Sequence, residues 1–225
     1  MSDSWIPGNW TFKNPEVAKR FDSHVRETLP WYDLATHGTA HLIKAYAPEK
    51  GIIYDIGAST GNIGRSIAET VETRRIDLIG IESAREMQEL YKAPGKLLIT
   101  DALDYEYENF DIAVLFLTLM FIPVNSRETL LNKLHERLNP GGAIIIVDKI
   151  PLASGYLGST IHRWTMKQKQ IGGITLNEIA EKELSLVGVQ RPVDVETHLL
   201  RREYVKWLQV GEFAGYIFEK LPGIH

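Results

Sequence analysis

Between residues 51 and 149, short apolar runs alternate with longer amphipathic stretches. The runs cover residues 52–56, 76–81, 96–100, 112–117 and 143–147 and are rich in Ile, Val and Leu. Runs this short without polar alternation predict strands buried on both faces. Their separation by helix-length stretches predicts a mostly parallel α/β sheet with helices on both sides. Ser83 and Glu86 have capping-box spacing ahead of a segment ending near Lys92. Asn125, with Glu128 three residues on, reads as the N-cap of a helix whose apolar positions are Leu130, Leu131, Leu134 and Leu138. Asn139-Pro140-Gly141-Gly142 then ends that helix, because Pro cannot continue it and Gly accepts the dihedrals of the turn.

The flanks differ from this core. Residues 15–28 predict a helix with Val17, Phe21 and Val25 spaced by four, stopping before Pro30-Trp31-Tyr32. After the fifth strand, residues 157–187 predict a helical insertion broken at Gly172-Gly173, with Thr175 and Glu178 as a further capping pair. Residues 204–220 mix aromatic and β-branched positions with Gly211 and Gly215 and predict a final strand pair with an antiparallel strand. One domain over 1–225 is expected: a helical cap at 10–45, a core at 51–149, and the insertion with the last strands at 150–225.

The most specific local signal is Tyr54-Asp55-Ile56-Gly57-Ala58-Ser59-Thr60-Gly61-Asn62-Ile63-Gly64, a strand running through a glycine loop into a helix. Gly57 permits the sharp turn at the strand end, and Gly61 is expected to leave room for a ligand against the loop. The glycines are spaced four and three, so the second glycine of the dinucleotide fingerprint is missing and an NAD oxidoreductase is disfavoured. Asp55 precedes Gly57 by two, Glu82 ends the second strand and Asp101 follows the third. Three acids at successive strand ends suit the hydroxyls and amino group of an adenosine and repel phosphate, which favours a sulfonium nucleoside. The plainer readings are that the glycines are turns and that the acids cap helices.

Composition narrows the classes. The chain has 225 residues, 44% hydrophobic and 24% charged, with a formal net charge of −4 and no Cys. Thiolate metal sites, disulfides and cysteine nucleophiles are excluded, and the global charge does not draw the chain to nucleic acid or to an anionic membrane. No metal centre is expected. The opening residues 1–10 carry neither a basic stretch nor an apolar core, and no segment approaches a membrane span, so a cytoplasmic protein is expected.

The order D-x-G-x-x-x-G, strand-end acid, strand-end acid resembles the Rossmann-like class I S-adenosylmethionine (SAM)-dependent methyltransferases. Within them the chain is similar to the carboxy-S-adenosylmethionine synthases (CmoA-type), which act in tRNA wobble-uridine modification. The matching pieces are Trp10-Thr11-Phe12, Pro30 with Tyr32, residues 54–59, Tyr91-Lys92-Ala93-Pro94, Thr118-Leu119, residues 138–143, Asp148-Lys149 and Val195-Glu196-Thr197-His198. The resemblance implies cofactor contacts at Tyr32, at Gly57, Ala58 and Ser59, at Glu82 and Ser83, and at Asp101 and Ala102. It also implies a homodimer, for which Trp164 and Trp207 are interface candidates as well as core candidates. Two positions depart from the family: Phe116 stands where it has a cofactor-binding asparagine, and Glu183 where it has the arginine that holds the transferred carboxylate.

A carboxylate facing Glu183 loses a charge-assisted pair and gains repulsion. Arg201 and Arg202 could restore the charge only if the shortened stretch before them carries them into the site. The expected chemistry is therefore SAM-dependent methyl transfer to a small molecule or a tRNA-related acceptor, with the carboxy-SAM synthase reaction on prephenate as the alternative. A non-catalytic SAM-binding protein is the second alternative. In the methyl-transfer reading Tyr32 lies over the cofactor, or is a core aromatic. Glu183 takes a proton or attracts a cationic acceptor. His24, His162 and His198 are unplaced base candidates. The basic stretches of His162, Arg163, Lys167 and Lys169 and of Arg201, Arg202 and Lys206 could touch tRNA, but scattered basic residues on an acidic chain are more often plain surface.

Overall fold

The structure is a computed structural model that describes residues 6–221 and 223; residues 1–5, on which part of the expectation about a leader falls, lie outside it. Helices α1 (Pro15–Thr28) and α2 (Tyr32–Tyr46) come first. The sheet and its covering helices follow: β1 (Ile52–Ile56), α3 (Asn62–Ser66), α4 (Ala68–Arg74), β2 (Asp77–Glu82), β3 (Lys96–Ile99), β4 (Phe110–Phe116), α5 (Val124–Arg137) and β5 (Leu138–Lys149). The insertion is α6 (Gly155–Ile171) and α7 (Leu176–Ser185), and β6 (Val205–Val210) and β7 (Phe213–Glu219) close the chain. The seven strands lie in the order β3-β2-β1-β4-β5-β7-β6. Strands β1 to β5 pair in parallel, and β7 runs antiparallel to both β5 and β6.

Burial explains why the strands lack alternation. Ile53, Ile56, Ile112, Leu115, Ile144, Ile145 and Ile146 are fully buried, with successive residues entering the core on opposite faces of the sheet. One face packs on α5 and the aromatic cluster of Tyr54, Tyr107 and Phe110; the other packs on α2, α3 and α4. The order of connection reverses between β1 and β4, which opens a crevice beyond their carboxyl ends.

Two expected caps are replaced. The segment after Ser83 is a short 3₁₀ turn, Arg85–Leu90, and the backbone N–H of Ala84 is taken by Glu82 at 2.8 Å instead of by a Ser83 box. Helix α5 starts at Val124 behind Pro123, so Asn125 lies inside its first turn and does not cap it. The box at Thr175 and Glu178 forms in both directions. Residues 139–142 make the expected turn within a strand: β5 already begins at Leu138 opposite Phe110, and the register shifts before Ala143 meets Ile112. Gly141 takes φ +83° there. Trp207 covers Gly38 and Gly215, where added methyl groups would come within 2.6 Å of its ring, so it packs the sheet edge; Trp164 is exposed.

Arg127 of α5 is 1% exposed. Its guanidinium donates to the carbonyls of Ile122 (3.1 Å), Pro192 (2.9 Å) and Arg191 (2.7 Å), fastening the returning end of the insertion to the core. Arg127→Met would leave these carbonyls buried and unpaired. The expected loss is about 3–5 kcal/mol of stability in urea unfolding, with Arg127→Lys recovering only part because an ammonium lacks the planar fork.

Candidate functional site

A cavity of about 340 Å³ opens at the switch point between β1 and β4. One wall is the glycine turn and the strand ends. Gly57 has φ +76°, and a side chain there would run into Thr118, whose hydroxyl donates to the Ile56 carbonyl at 2.9 Å. The sharp turn therefore depends on glycine. Ala58 and Ser59 continue the wall. The Ser59 N–H donates to Glu82 at 2.9 Å, so one carboxylate, through its other oxygen on Ala84, joins the loops after β1 and β2. Asp101 accepts the Leu103 N–H at 2.8 Å, which makes it a turn-former as well as a wall residue.

Asp55 is 2% exposed, and its Oδ2 is buried without a hydrogen-bond partner. Burial first, and the neighbouring Glu82 charge second, push its carboxyl up to about 7, against the Gly64 N–H and Arg65. Glu82 is also raised by burial, with the N–H groups of Ala84, Ser59 and Ser83 opposing.

The cap forms the second wall. Phe21, His24, Val25 and Thr28 of α1 line the cavity, and Tyr32 starts α2 beside them. The Tyr32 ring meets Phe116 edge-on at 5.4 Å, and Arg26 stacks over it at 5.1 Å. Burial holds the Tyr32 hydroxyl protonated far above neutrality. Helix α1 is latched to the loop: Thr60 donates to Asp22 at 2.6 Å, and Arg65 pairs with the same carboxylate at 3.2 Å. Arg26 reaches Asp33 and Asn62, both at 3.0 Å.

The third wall comes from the insertion and the last strands, with Lys149, Lys169, Lys182, Glu183, Gln190, Glu212 and Phe213. Glu183 does face the cavity, where Lys169 holds it at 2.7 Å. Burial works to raise its carboxyl, but Lys169, Lys149 and His162 prevail and keep it below the usual range. In this arrangement it is the ion-pair partner of Lys169. His24 lines the cavity as a neutral imidazole, pushed down to about 4 by burial, Lys182 and Lys169.

Of the residues singled out from sequence, Tyr32, Asp55, Gly57, Ala58, Ser59, Glu82, Ser83, Asp101, Ala102, Phe116 and Glu183 share this one cavity. Gly61 does not line it. A Cβ there would meet Ala93 at 2.7 Å and the Tyr91 ring at 3.0 Å, so its openness serves packing of the 91–93 segment over the helix start. Arg202 is tied to Glu128 and Asn132, and neither it nor Arg201 reaches the cavity. His198 is buried 3.9 Å from Glu128, and His162 lies outside the lining. The lysines were missed as a group. The one available signal was Lys182, which stands three residues after Ile179 and four before Leu186 on the apolar stripe of α7. Among the described residues no cluster of His, Cys, Asp and Glu is arranged to hold a metal ion, and no helix is long and apolar enough to cross a membrane.

Two outcomes test this description. The folded state holds the Asp55 proton more tightly than the unfolded chain does, so its contribution declines as pH rises from about 4 to about 7. Urea unfolding across that window should show a flatter pH dependence for Asp55→Asn than for the parent. Asp22→Ala removes the latch, a half-exposed contact worth at most about 1 kcal/mol of global stability. Amide hydrogen exchange in α1 should nevertheless speed up severalfold.

Residues 53–142 match the family model described as a methyltransferase domain. The chain is 28% identical over 217 residues to a carboxy-S-adenosyl-L-methionine synthase of Shewanella piezotolerans, covering 90% of this chain and 89% of that protein. It is 27% identical over 229 residues to the synthase of that name from Staphylococcus epidermidis, covering 96% and 100%. In fold it is similar to human N-acetylserotonin methyltransferase in complex with SAM, with a TM-score of 0.59, 12% identity, and 93% of this chain and 57% of that chain covered. The N-methyltransferase NodS of Bradyrhizobium japonicum matches with a TM-score of 0.52, 15% identity, and 84% and 97% covered.

Proposed function

We propose that this chain, a class I methyltransferase-fold homologue of the carboxy-S-adenosyl-L-methionine synthases, is itself a carboxy-SAM synthase that acts on SAM and prephenate. The observation that carries the reading is the convergence of the turn at Gly57, the carboxylates of Asp55, Glu82 and Asp101, and Tyr32 in one cavity. The similarity to synthases of this name along nearly the whole chain supports it. The residues present suit SAM: the buried Oδ2 of Asp55 lacks a donor, which an ammonium or hydroxyl of the ligand supplies. Glu82 and Asp101 keep free lone pairs for ribose hydroxyls and the adenine amino group.

Bound SAM would supply a methyl carbon made electron-poor by its sulfonium; in carboxylation that methyl would give up a proton and take the carbon dioxide that prephenate loses, with hydroxide, on becoming phenylpyruvate, the proton and hydroxide leaving as water. The chain's own part is to bind, orient and exclude water. Tyr32 and Phe116 form a rigid aromatic wall beside the glycine turn, and α1 closes the mouth through its latch. The glutamate at the position of the family's arginine places no uncompensated negative charge in the cavity, because Lys169 neutralises it. The carboxylated cofactor would then serve tRNA wobble-uridine modification, as the resemblance implies.

A second reading, methyl transfer to an anionic small molecule, draws on the two departures at Phe116 and Glu183. Incubation with SAM and prephenate followed by mass analysis separates the two. A carboxylated cofactor with phenylpyruvate is expected, and SAM returned unchanged defeats the synthase reading. In calorimetry Glu82→Gln should weaken S-adenosylhomocysteine binding about tenfold or more, through lost charge-assisted hydrogen bonds. Failure of the parent to bind that ligand would defeat both readings.

A further inference from the structure

Opposite the strand-end carboxylates, the insertion, the end of β5 and the turn before β7 give the cavity a face with three lysine amino groups and two carboxylates. Lys169 is paired with Glu183 at 2.7 Å. Lys149 is paired with Glu212 at 3.4 Å and also donates to Gln190 at 3.1 Å. The third, Lys182, makes no ion pair among the described residues. It sits on the buried stripe of α7 with Ile179 and Leu186, and its Nζ packs on the Trp10 indole. A flat aromatic face accommodates an amine and attracts it once it is protonated. Once protonated, Lys182 lacks a counter-charge in this arrangement.

We propose that Lys182 binds a carboxylate group of the second ligand that shares this cavity with SAM, and that binding draws a proton from solution onto Lys182. The proposal rests on the reading that the cavity holds SAM. A carboxylate is favoured over a phosphate by charge: the one ammonium formed on binding matches one negative charge, whereas a second would face Glu183 and Glu212. The apolar remainder of the wall, Phe12, Phe21 and Phe121, suits an aryl or alkyl body on that carboxylate.

The charges around Lys182 account for the proton. Burial first and Lys169 second push its ammonium down to about 5, against Glu183, so the empty site holds an amine at neutral pH. From α1, His24 is uncharged, pushed down to about 4 by burial first. His162 and Lys169 belong to α6, Glu178 and Glu183 to α7, Lys149 to β5, and Glu212 to the turn before β7. None of these carboxylates is left for Lys182, since Glu178 caps its own helix at Thr175. A bound carboxylate supplies the missing charge and restores the ammonium.

The test is calorimetry on protein saturated with S-adenosylhomocysteine, titrated near pH 7 with 3-phenylpropionate or its neutral amide, in two buffers of different ionisation enthalpy. The carboxylate should bind about tenfold or more tightly than the amide, with close to one proton taken up. Lys182→Met should abolish both the preference and the proton uptake while leaving S-adenosylhomocysteine binding unchanged. Lys182→Arg should keep the preference without proton uptake, because a guanidinium is already charged. Equal affinity for acid and amide, no carboxylate binding up to about 10 mM, or an unchanged preference in Lys182→Met overturns the proposal. Loss of S-adenosylhomocysteine binding by the parent would instead overturn the reading beneath it.

Discussion

The Glu82 carboxylate is the constraint from which the rest of the site follows. It stands 8% exposed at the end of β2, with one oxygen on the Ser59 N–H and the other on the Ala84 N–H. Two loops that leave adjacent strands are thereby held at one distance. The turn at Gly57 needs that hold, because its positive φ and the close Thr118 side chain leave the loop no alternative course. A buried carboxylate is stable only when hydrogen-bonded, and these two N–H groups at once satisfy it and shape the wall.

Charge is divided across the cavity. The strand-end wall carries Asp55, Glu82 and Asp101, and the insertion wall carries Lys149, Lys169 and Lys182 with two glutamates. The acidic side is built on the sheet, where strand ends fix its geometry. On the basic side only Lys149 ends a strand, β5; Lys169 and Lys182 stand on helices α6 and α7, which the sheet does not position directly. Reach and rigidity thus differ between the two halves.

The sheet was legible because its signals are local. Five apolar runs, a glycine loop and three strand-end acids each occupy a few consecutive residues, and the parallel topology brings them together. Glu183 was legible as a position but not as a partner. Its meaning changed from a repulsive charge to half of an ion pair once Lys169, on another helix, was seen at 2.7 Å. The packing at Gly61 was hidden for the same reason: the residues it accommodates, Tyr91 and Ala93, lie about thirty positions away. Caps at Ser83 and Asn125 were misread because a strand-end carboxylate and a proline took over the helix starts.

The anchoring of the insertion has an evolutionary consequence. It leaves the sheet at Lys149 and is recovered where the Val193 N–H bonds the Lys149 carbonyl at 2.7 Å, with Arg127 gripping Arg191 and Pro192 alongside. Departure and return therefore meet at one point, like the neck of a loop drawn closed. Changes of length or sequence between those residues need not be transmitted to the strands. The wall carried by α6 and α7 can therefore be rebuilt while the strand-end wall keeps its geometry.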